Sequence, residues 1–408
     1  MALFRTLNTL RRETLGLALH ALGLHPRKGL AHKSASTLYR TFDPTTLRTV
    51  AAPAPQLLTP TVLQVRALVR ETADAISIVL ARADGQAIAF KAGMFFTVMV
   101  DIDGQAYRRA YSASSAAHEN STVTITVKRV ANGRVSNWLN DHLTVGSTLR
   151  VLGPSGNFVV VPQPTQQRTL LLVGGGSGIT PLMAIARTVL AQESGSRIHL
   201  LYGNRSKKDA IFYAALAALQ KQYPTRLGVT HVLEVPPKAW KGETGRLDRA
   251  MLARLFDAVL AAQPLDALEV YTCGPEPVMA AVVADMQARG LDPARLHQEQ
   301  FTPAAGAADV SRFAAQPVVI EAQGQSWSGT VQPGQTLLDA GLASGAPMLY
   351  SCTLGGCGSC RVKVLEGAVD MPEPNCLLPG EKAQGYALSC IARPCSPVRL
   401  EIDAPPSH

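Results

Sequence analysis

The chain has 408 residues, of which 47% are hydrophobic and 17% are charged. This composition excludes a disordered protein, and the length predicts roughly two to four domains. Seven cysteines, an odd number, argue against the disulfide framework of a secreted protein. The net charge of +9 is uneven, because residues 316–408 carry five basic and eight acidic side chains whereas the rest of the chain is basic. This asymmetry indicates electrostatic docking within the chain or with a redox partner, and ordinary surface charge is the alternative. Nucleic acid binding is not favoured.

Residues 1–60 form an extension that we predict to be partly helical. Its leucines recur at near-helical spacing, with Arg5, Arg11 and Arg12 between them. A signal peptide is disfavoured, because His20 interrupts the apolar part and no A-x-A cleavage pattern follows. A helix packed on the body of the protein is favoured over a basic helix on a membrane surface or a partner. Without a run of about 20 apolar residues, we expect a cytoplasmic protein, and peripheral membrane contact through this extension stays an open alternative.

Residues 61–162 consist of short runs in which apolar and polar residues alternate. Turn sequences such as Asp84-Gly85 and Asp103-Gly104 separate these runs. Strands of this length and pattern predict an antiparallel β-barrel or sandwich.

Residues 163–303 follow a different pattern, in which continuous apolar runs alternate with helical stretches. Buried strands that alternate with helices predict an α/β domain with helices on both faces of a parallel sheet. The small residues of 304–316 then predict a linker. Residues 317–404 begin a further module that is rich in predicted β-strands.

A glycine-rich turn, LLLVGGGSGITPLMAIA, lies between a predicted strand and a predicted helix. Backbone without side chains can approach a pyrophosphate closely, and the helix start supplies N–H donors. The pattern reads G-x-G-x-x-P rather than the G-x-G-x-x-G of the dinucleotide fingerprint, and such a turn need not bind a ligand. The candidate nucleotide-binding residues here are Gly174, Gly176, Gly178, Thr180 and Pro181.

The next strand ends in LLYGNRSKKD, which presents a polar, basic loop. Sites for NAD usually place an acidic residue here to bind the ribose 2′-hydroxyl, whereas cations suit a 2′-phosphate. Within this loop no acidic residue comes before Asp209, so NADPH is favoured over NADH. The alternative is a solvated basic loop that binds no nucleotide. The candidates are Asn204, Arg205 and Ser206, and a later turn adds Cys273, Gly274 and Pro275.

Five sequence patterns, R-A-Y-S, G-R-V-S, G-P-S-G-N-F, G-G-G-S-G-I-T-P and Y-T-C-G-P, follow one another between residues 61 and 303. In this order they resemble the ferredoxin–NADP reductase family. The resemblance implies a flavin-binding barrel, with FAD favoured over FMN, followed by an NAD(P)-binding domain.

The resemblance also implies roles for individual residues. Arg109 would pair with a flavin phosphate, Tyr111 would pack on the flavin, and Ser112 would hydrogen-bond its N5. Backbone N–H groups of Arg134, Val135 and Ser136 would contact the pyrophosphate, and Lys128 is a further cofactor-binding candidate. Cys273 would lie beside the nicotinamide, and Glu299 and Phe301 would bring a carboxylate and an aromatic ring near the flavin. The catalytic candidates are Ser112, Tyr111, Cys273 and Glu299.

Cysteines near the C-terminus are spaced C-x4-C-x2-C, with a fourth cysteine further along the chain. This is the plant-type [2Fe–2S] spacing, whereas a zinc site or a C-x-x-C redox pair fits the spacing less well. The surrounding residues 317–403 resemble plant-type ferredoxins, which implies an α+β, β-grasp domain. The predicted cluster ligands are Cys352, Cys357, Cys360 and Cys390, and Cys376 and Cys395 are interpreted as small apolar residues.

Together these features predict a reductase that passes electrons from NADPH through FAD and a [2Fe–2S] cluster to an external acceptor. By resemblance, the acceptor is an oxygenase, a hydroxylase or a membrane fatty-acyl desaturase. Two alternatives stay open, namely a redox-sensing regulatory protein and a diaphorase whose cluster is only structural.

Overall fold

A computed structural model describes residues 60–261, 264–301, 313–350, 352, 353, 355, 356, 358–372, 375, 377 and 379–402. The predicted N-terminal extension, most of the predicted linker and the cysteines at positions 357 and 376 lie outside these residues. Among the helices within them, none combines the length and the hydropathy needed to cross a bilayer.

The first domain is an antiparallel barrel, as the alternating pattern predicts. Its six strands pair in the order β4-β3-β6-β1-β2-β5, and a bridge between Ala113 and Ile125 joins the two ends of the sheet. Asp103 and Gly104 both have positive φ, as a two-residue type I′ hairpin requires. The elements are β1 (Thr61–Thr72), β2 (Ala75–Arg82), β3 (Phe95–Ile102), β4 (Gln105–Ser112), β5 (Val123–Lys128), α1 (Arg134–His142) and β6 (Thr148–Ser155).

The second domain has a parallel sheet of six strands in the order β10-β9-β8-β7-β11-β12. Every residue of β7 is buried, because helices cover both faces of the sheet. The elements are β7 (Thr169–Gly175), α2 (Ile179–Gln192), β8 (Arg197–Asn204), α3 (Tyr213–Gln222), β9 (Leu227–Leu233), β10 (Glu243–Thr244), α4 (Arg249–Leu260), β11 (Leu268–Cys273), α5 (Glu276–Ala288) and β12 (Leu296–Glu299). Single 3-10 turns span Gly176–Gly178, Lys207–Asp209, Leu265–Ala267 and Pro293–Arg295.

The third domain is a β-grasp fold, in which a mixed sheet in the order β14-β13-β19-β15-β17 packs against one helix. Strands β13 and β19 pair in parallel, and the other pairs are antiparallel. Thr336 and Asp339 form a capping box that begins the helix. The elements are β13 (Gln316–Ala322), β14 (Gln325–Val331), α6 (Leu337–Ala343), β15 (Arg361–Glu366), β16 (Val369–Asp370), α7 (Pro379–Ala383), β17 (Tyr386–Leu388), β18 (Arg393–Pro394) and β19 (Val398–Glu401).

A buried ion network fastens the amino-terminal edge of the parallel sheet. Arg168 binds the carboxylate of Glu193 at 2.6 Å and that of Glu269 at 3.0 Å. Glu193 is fully buried and also accepts a hydrogen bond of 2.6 Å from the hydroxyl of Ser196. His297, whose Nε2 lies 3.5 Å from Glu269, and the charge of Arg168 lower the pKa of Glu269 to about 2, against the opposing effect of burial. Arg168 therefore joins β7 to β11 and to the end of α2.

Replacing Arg168 with methionine tests this network. The change leaves the buried Glu193 carboxylate without its cation, so we expect a loss of about 3–5 kcal/mol in the free energy of unfolding. Urea unfolding of the full chain measures this loss. The matched control is Arg254→Met, which removes an ion pair with Glu243 in which the arginine side chain is 57% exposed, and it should cost less than about 1 kcal/mol. Equal effects of the two changes would contradict a structural role for the buried network.

Candidate active site

The strand order of the parallel sheet reverses between β7 and β11. Strands β8, β9 and β10 follow on one side of β7, and β11 and β12 lie on the other. In open α/β sheets, ligands bind at this switch point, beyond the carboxyl ends of the strands. In register across this edge lie Glu299, Cys273, Gly174, Tyr202 and His231.

Two turns meet at the switch point with their backbones in close contact. A Cβ atom added to Gly178 would lie 2.0 Å from the carbonyl oxygen of Cys273, and one added to Gly174 would lie 2.8 Å from the side chain of Leu182. The backbone contact therefore requires glycine at position 178, whereas a side chain at position 174 would force the side chain of Leu182 to shift. Gly176 differs, because it has φ of +54° and no atom within 4 Å of an added Cβ. Of the three predicted glycines, Gly176 is the one that leaves space for a ligand.

The start of helix α2 is built by its own side chains. Thr180 is buried and its hydroxyl donates to the carbonyl of Ser177 at 3.0 Å. Pro181 lies in the first helical turn, where a missing N–H is tolerated. The hydroxyl of Tyr202 donates to the carbonyl of Gly176 at 2.9 Å and fixes the loop from the neighbouring strand. The loop is thus held in shape by hydrogen bonds from within the domain.

The last residue of β8 carries a buried donor, and exposed cations follow it in the loop. Asn204 is buried, and its Nδ2 makes no hydrogen bond of regular geometry within the described residues. Its side chain lies close enough to the Tyr202 hydroxyl to lower the pKa of that group, against the larger effect of burial. Arg205 is exposed, whereas the ammonium group of Lys207 lies 4.6 Å from the centroid of the Tyr213 ring. A buried amide without a regular hydrogen bond is costly, so the Asn204 donor fits a nucleotide that binds at this edge.

The acidic residue of this loop is directed back onto the loop. The hydroxyl of Ser206 donates to Asp209 Oδ2 at 2.7 Å. The predicted ligand Ser206 is therefore already hydrogen-bonded, and Asp209 shares its carboxylate with it. The three cations of this loop, Arg205, Lys207 and Lys208, are all exposed at the surface.

His231 is a residue of this edge that the sequence analysis misses. Its ring lies 4.7 Å from that of Tyr213 and 5.8 Å from that of Tyr202, measured between centroids. Burial, and to a lesser degree the charge of Lys207, lowers its pKa to about 4, so the ring is neutral at pH 7. Its Nδ1 has no partner among the described residues. A single histidine in an alternating strand gives no sequence signal for this position.

Three of the four predicted catalytic residues lie close together. The hydroxyl of Ser112, at the end of β4, donates to Glu299 Oε2 at 3.1 Å. Cys273 pairs with Glu299 across neighbouring strands. The barrel and the parallel sheet therefore contribute side chains to the same place, although these residues are far apart in the chain.

Burial sets the protonation of this group. It raises the pKa of Glu299 to about 8, although the hydrogen bond from Ser112 opposes this shift, so the carboxyl is mostly neutral at pH 7. Burial and the nearby Glu299 also raise the pKa of the Cys273 thiol, which keeps it uncharged. A neutral, buried thiol is a poor nucleophile, and its contribution here is to packing.

The remaining flavin candidates lie in the same barrel, except Phe301, which belongs to the parallel-sheet domain. Tyr111 is half-buried against the barrel core, and burial raises its pKa well above the usual range. Arg109 is exposed and donates to the carbonyl of Arg108 at 2.7 Å. Phe301 packs on the core of the parallel sheet, and Lys128 lies 3.6 Å from Asp74.

The start of helix α1 fits an anion. Gly133 occupies the N-cap position and provides no side-chain cap for the first N–H groups, which belong to the predicted residues Arg134, Val135 and Ser136. The hydroxyl of Ser136 lies 3.1 Å from the backbone N–H of Val130, which donates to it. The side chain of Arg134 pairs with Asp103 at 3.1 Å and points away from the helix axis as an exposed group.

The described cysteines fit an iron–sulfur site. The Sγ atoms of Cys360 and Cys390 are 3.1 Å apart, too far for a disulfide, and both residues are buried together with Cys352. Thr353, Gly355 and Gly358 all have positive φ, which gives a tight loop between the cysteines. Within the described residues no three ligand side chains form a metal site by themselves, and the fourth predicted ligand, Cys357, lies outside them. Of the two further cysteines, Cys395 is free and exposed, and Cys376 is not described.

The cysteine loop lies against the flavin barrel. Cys352 packs on Phe95 of β3, with Ala110 of β4 beside them. The guanidinium carbon of Arg108 lies 4.1 Å from the centroid of the Tyr350 ring. The loop that carries the predicted cluster ligands therefore contacts the same strand that carries Ser112.

Family comparisons agree with this three-part arrangement. Residues 62–160 match the model of an oxidoreductase FAD-binding domain, and residues 172–284 match that of an oxidoreductase NAD-binding domain. Residues 320–395 match the model of a 2Fe-2S iron-sulfur cluster binding domain. The fold and the site define a flavin- and nucleotide-dependent oxidoreductase with an iron–sulfur domain.

Similar proteins place the chain more closely. It is 36% identical, over 346 residues, to the ferredoxin reductase component of 3-ketosteroid-9-alpha-monooxygenase from Rhodococcus rhodochrous, with 82% of this chain and 94% of the relative covered. Among solved structures, it is 28% identical to an intact type IV self-sufficient cytochrome P450 monooxygenase, with a TM-score of 0.63. This match covers 84% of this chain but only 41% of the monooxygenase. Phthalate dioxygenase reductase shares the fold, with a TM-score of 0.57, 24% identity and coverage of 84% and 98%.

The chain belongs to the ferredoxin reductase family of flavoproteins that combine FAD-, NAD- and [2Fe–2S]-binding domains in one polypeptide. The predicted family and the three predicted fold types are confirmed. The roles given to single residues stay predictions.

Replacing Glu299 with glutamine tests whether its ionisation controls the reaction. The wild-type carboxyl, with a pKa of about 8, loses its proton as the pH rises through that value, whereas the amide keeps an acceptor for Ser112 and cannot ionise. We expect nucleotide-dependent ferricyanide reduction by the wild type to fall between about pH 7 and pH 9. The Glu299→Gln variant should be slower and independent of pH in this range. Glu401→Gln, at an exposed position, is the control, and equal pH profiles for the wild type and Glu299→Gln would reject the role.

Proposed function

We propose that the protein is an NADPH-dependent reductase that passes electrons from NADPH through FAD and the [2Fe–2S] cluster to an external oxygenase, hydroxylase or fatty-acyl desaturase. The observation that supports this most is the contact of Cys352 with Phe95 and Ala110, because it brings a predicted cluster ligand to the flavin barrel. A cluster that served only to stabilise its own domain would not need this position. The domain boundaries at 61–162, 163–303, 304–316 and 317–404 belong to the same proposal.

The proposed roles follow the positions of the residues. Ser112 and Tyr111 orient the flavin ring, Arg109, Lys128 and the start of α1 hold its phosphates, and Phe301 covers the ring from the other domain. Cys273 shapes the nicotinamide pocket, and Glu299 holds a proton beside Ser112. A flavin held by these residues would supply hydride acceptance from the nucleotide and release of single electrons, and a cluster would carry those electrons one at a time. Cys352, Cys357, Cys360 and Cys390 would hold the cluster.

Two observations support NADPH over NADH. The exposed Arg205 follows the end of β8, where the ribose of a dinucleotide lies in such sheets. Asp209, which could bind a ribose hydroxyl, is instead hydrogen-bonded by Ser206 within its own turn. The guanidinium of Arg205 suits the 2′-phosphate of NADPH. The buried donor of Asn204 lies one residue before Arg205.

The ratio of kcat/KM for NADPH to that for NADH tests the role of Arg205. We expect Arg205→Ala to lower this ratio at least about tenfold, because a charge-assisted contact to phosphate contributes roughly 1.5–3 kcal/mol. Lys221→Ala, which removes an exposed charge from helix α3, is the matched control and should leave the ratio unchanged. A ratio that is the same in the wild type and Arg205→Ala would overturn the assignment.

The class of acceptor is inferred from similar proteins. The Rhodococcus relative is by name the ferredoxin reductase component of a monooxygenase, and the P450 structure carries a similar segment within a self-sufficient monooxygenase. The acidic charge of residues 316–408 gives the proposed exit domain a surface that could steer a basic acceptor.

Cys360→Ser separates the proposed function from its alternatives. Loss of one cluster ligand should abolish cytochrome c reduction, which needs single electrons from the cluster, whereas ferricyanide reduction at the flavin should survive. The visible spectrum checks that FAD is still bound. Cys395→Ser, which changes a free and exposed cysteine, should leave both activities intact. Unchanged cytochrome c reduction in Cys360→Ser would favour the diaphorase with a structural cluster, and negligible turnover of the wild type would favour the redox sensor.

A further inference from the structure

Strand β4 (Gln105–Ser112) has two faces that contact different parts of the molecule. Side chains alternate along a strand, so Arg108, Ala110 and Ser112 share one face. Arg108 covers the ring of Tyr350, Ala110 packs beside Cys352, and Ser112 donates to Glu299. Tyr111 is on the opposite face and packs against the barrel core. One face of this strand therefore contacts both the parallel-sheet domain and the iron–sulfur domain.

The contact of Arg108 with Tyr350 lies at the start of the cysteine loop. Tyr350 is half-buried and precedes Cys352 by two residues, so a constraint on its ring also limits the movement of the first predicted cluster ligand. The 4.1 Å between the guanidinium carbon and the ring centroid is close packing for a cation over an aromatic ring. The contact of Arg108 with Tyr350 therefore lies next to the contact of Cys352 with Phe95.

Other cation–aromatic pairs in the described part of the chain lie within one domain. Examples are Arg226 over Tyr223 in the parallel-sheet domain, and Lys363 over Tyr386 in the iron–sulfur domain. The pair formed by Arg108 and Tyr350 differs because it joins two domains that a linker separates in the sequence. The local fold of neither domain requires it, so its position suggests a role in docking.

We propose that Arg108 is a positioning residue that docks the cysteine loop against the flavin barrel and so sets the gap that electrons cross between flavin and cluster. This inference rests on the proposed function. It gives the two adjacent arginines separate tasks, because Arg109 belongs to the other face of the strand and is the candidate for a flavin phosphate. Arg108 needs no contact with either redox group.

Full-length holoprotein carrying Arg108→Gln tests the inference. One NADPH supplies two electrons, which reduce two molecules of cytochrome c by way of the cluster or two of ferricyanide at the flavin. We expect cytochrome c reduction to fall about fivefold, which corresponds to about 1 kcal/mol of docking energy, and ferricyanide reduction to remain unchanged. Tyr350→Leu should behave in the same way. Arg108→Lys and Tyr350→Phe keep a cation over a ring and should recover most of the loss.

A second measurement does not depend on turnover. Hydrogen exchange of the peptides that contain Met348–Tyr350 and Gln105–Ser112 is followed in the oxidised, resting protein. We expect faster exchange in both peptides for Arg108→Gln and for Tyr350→Leu, and no further increase when the two changes are combined, because either one removes the same contact. Lys363→Gln removes a cation–aromatic pair within the iron–sulfur domain and should leave both peptides unchanged.

The outcomes separate the possible explanations. Wild-type exchange and wild-type cytochrome c reduction in Arg108→Gln would overturn the inference. A parallel fall of both activities, with loss of FAD from the visible spectrum, would also overturn it and assign Arg108 to flavin binding. If the wild-type protein with intact flavin and cluster spectra does not reduce cytochrome c, the proposed function fails, while the exchange data still report whether Arg108 docks the loop.

Discussion

The close approach of two backbone turns at the switch point of the parallel sheet determines where the candidate catalytic residues of this protein lie. Gly178 is packed so tightly on the carbonyl of Cys273 that no side chain fits between them. This contact fixes the ends of β7 and β11 relative to each other, and Glu299 on β12 is placed in turn by its pairing with Cys273. The barrel then brings Ser112 to Glu299. A site assembled in this way depends on backbone packing before any cofactor binds.

Features encoded in short, local stretches of sequence are predictable. The alternating runs give the barrel, the continuous apolar runs give the parallel sheet, and the C-x4-C-x2-C spacing points to the iron–sulfur domain. The Asp103-Gly104 turn is another example, because its two positive φ values are a property of the dipeptide itself. The sequence also predicts the glycine loop, but it does not show which atoms pack against two of its glycines. Gly174 packs against Leu182 and Gly178 against Cys273, which lies about a hundred residues further along the chain.

Features that depend on strand register or on contacts between domains could not be predicted. His231 gains its position from the register of β9 with β8, and a lone histidine carries no sign of this. The buried donor of Asn204, which lacks a regular hydrogen bond, is visible only when the burial of its neighbours is known. The contact between Arg108 and Tyr350 joins residues more than two hundred positions apart. The roles of single residues follow from resemblance to a family, because spacing and composition do not define them.

The adjacency of Arg108 and Arg109 in β4 has a consequence for how this protein can vary. Because a strand reverses the direction of its side chains at every residue, inserting or deleting a single residue within β4 before Arg108 would exchange the two faces. The side chain of Arg108 would then turn from the iron–sulfur loop toward the barrel core, and the side chain of Tyr111 would turn away from that core. Changes of length in this hairpin are therefore tolerable in steps of two residues, or at the Asp103-Gly104 turn, where a bulge can absorb them. The alternation of side chains along one eight-residue strand thus determines which residues contact each of the three domains.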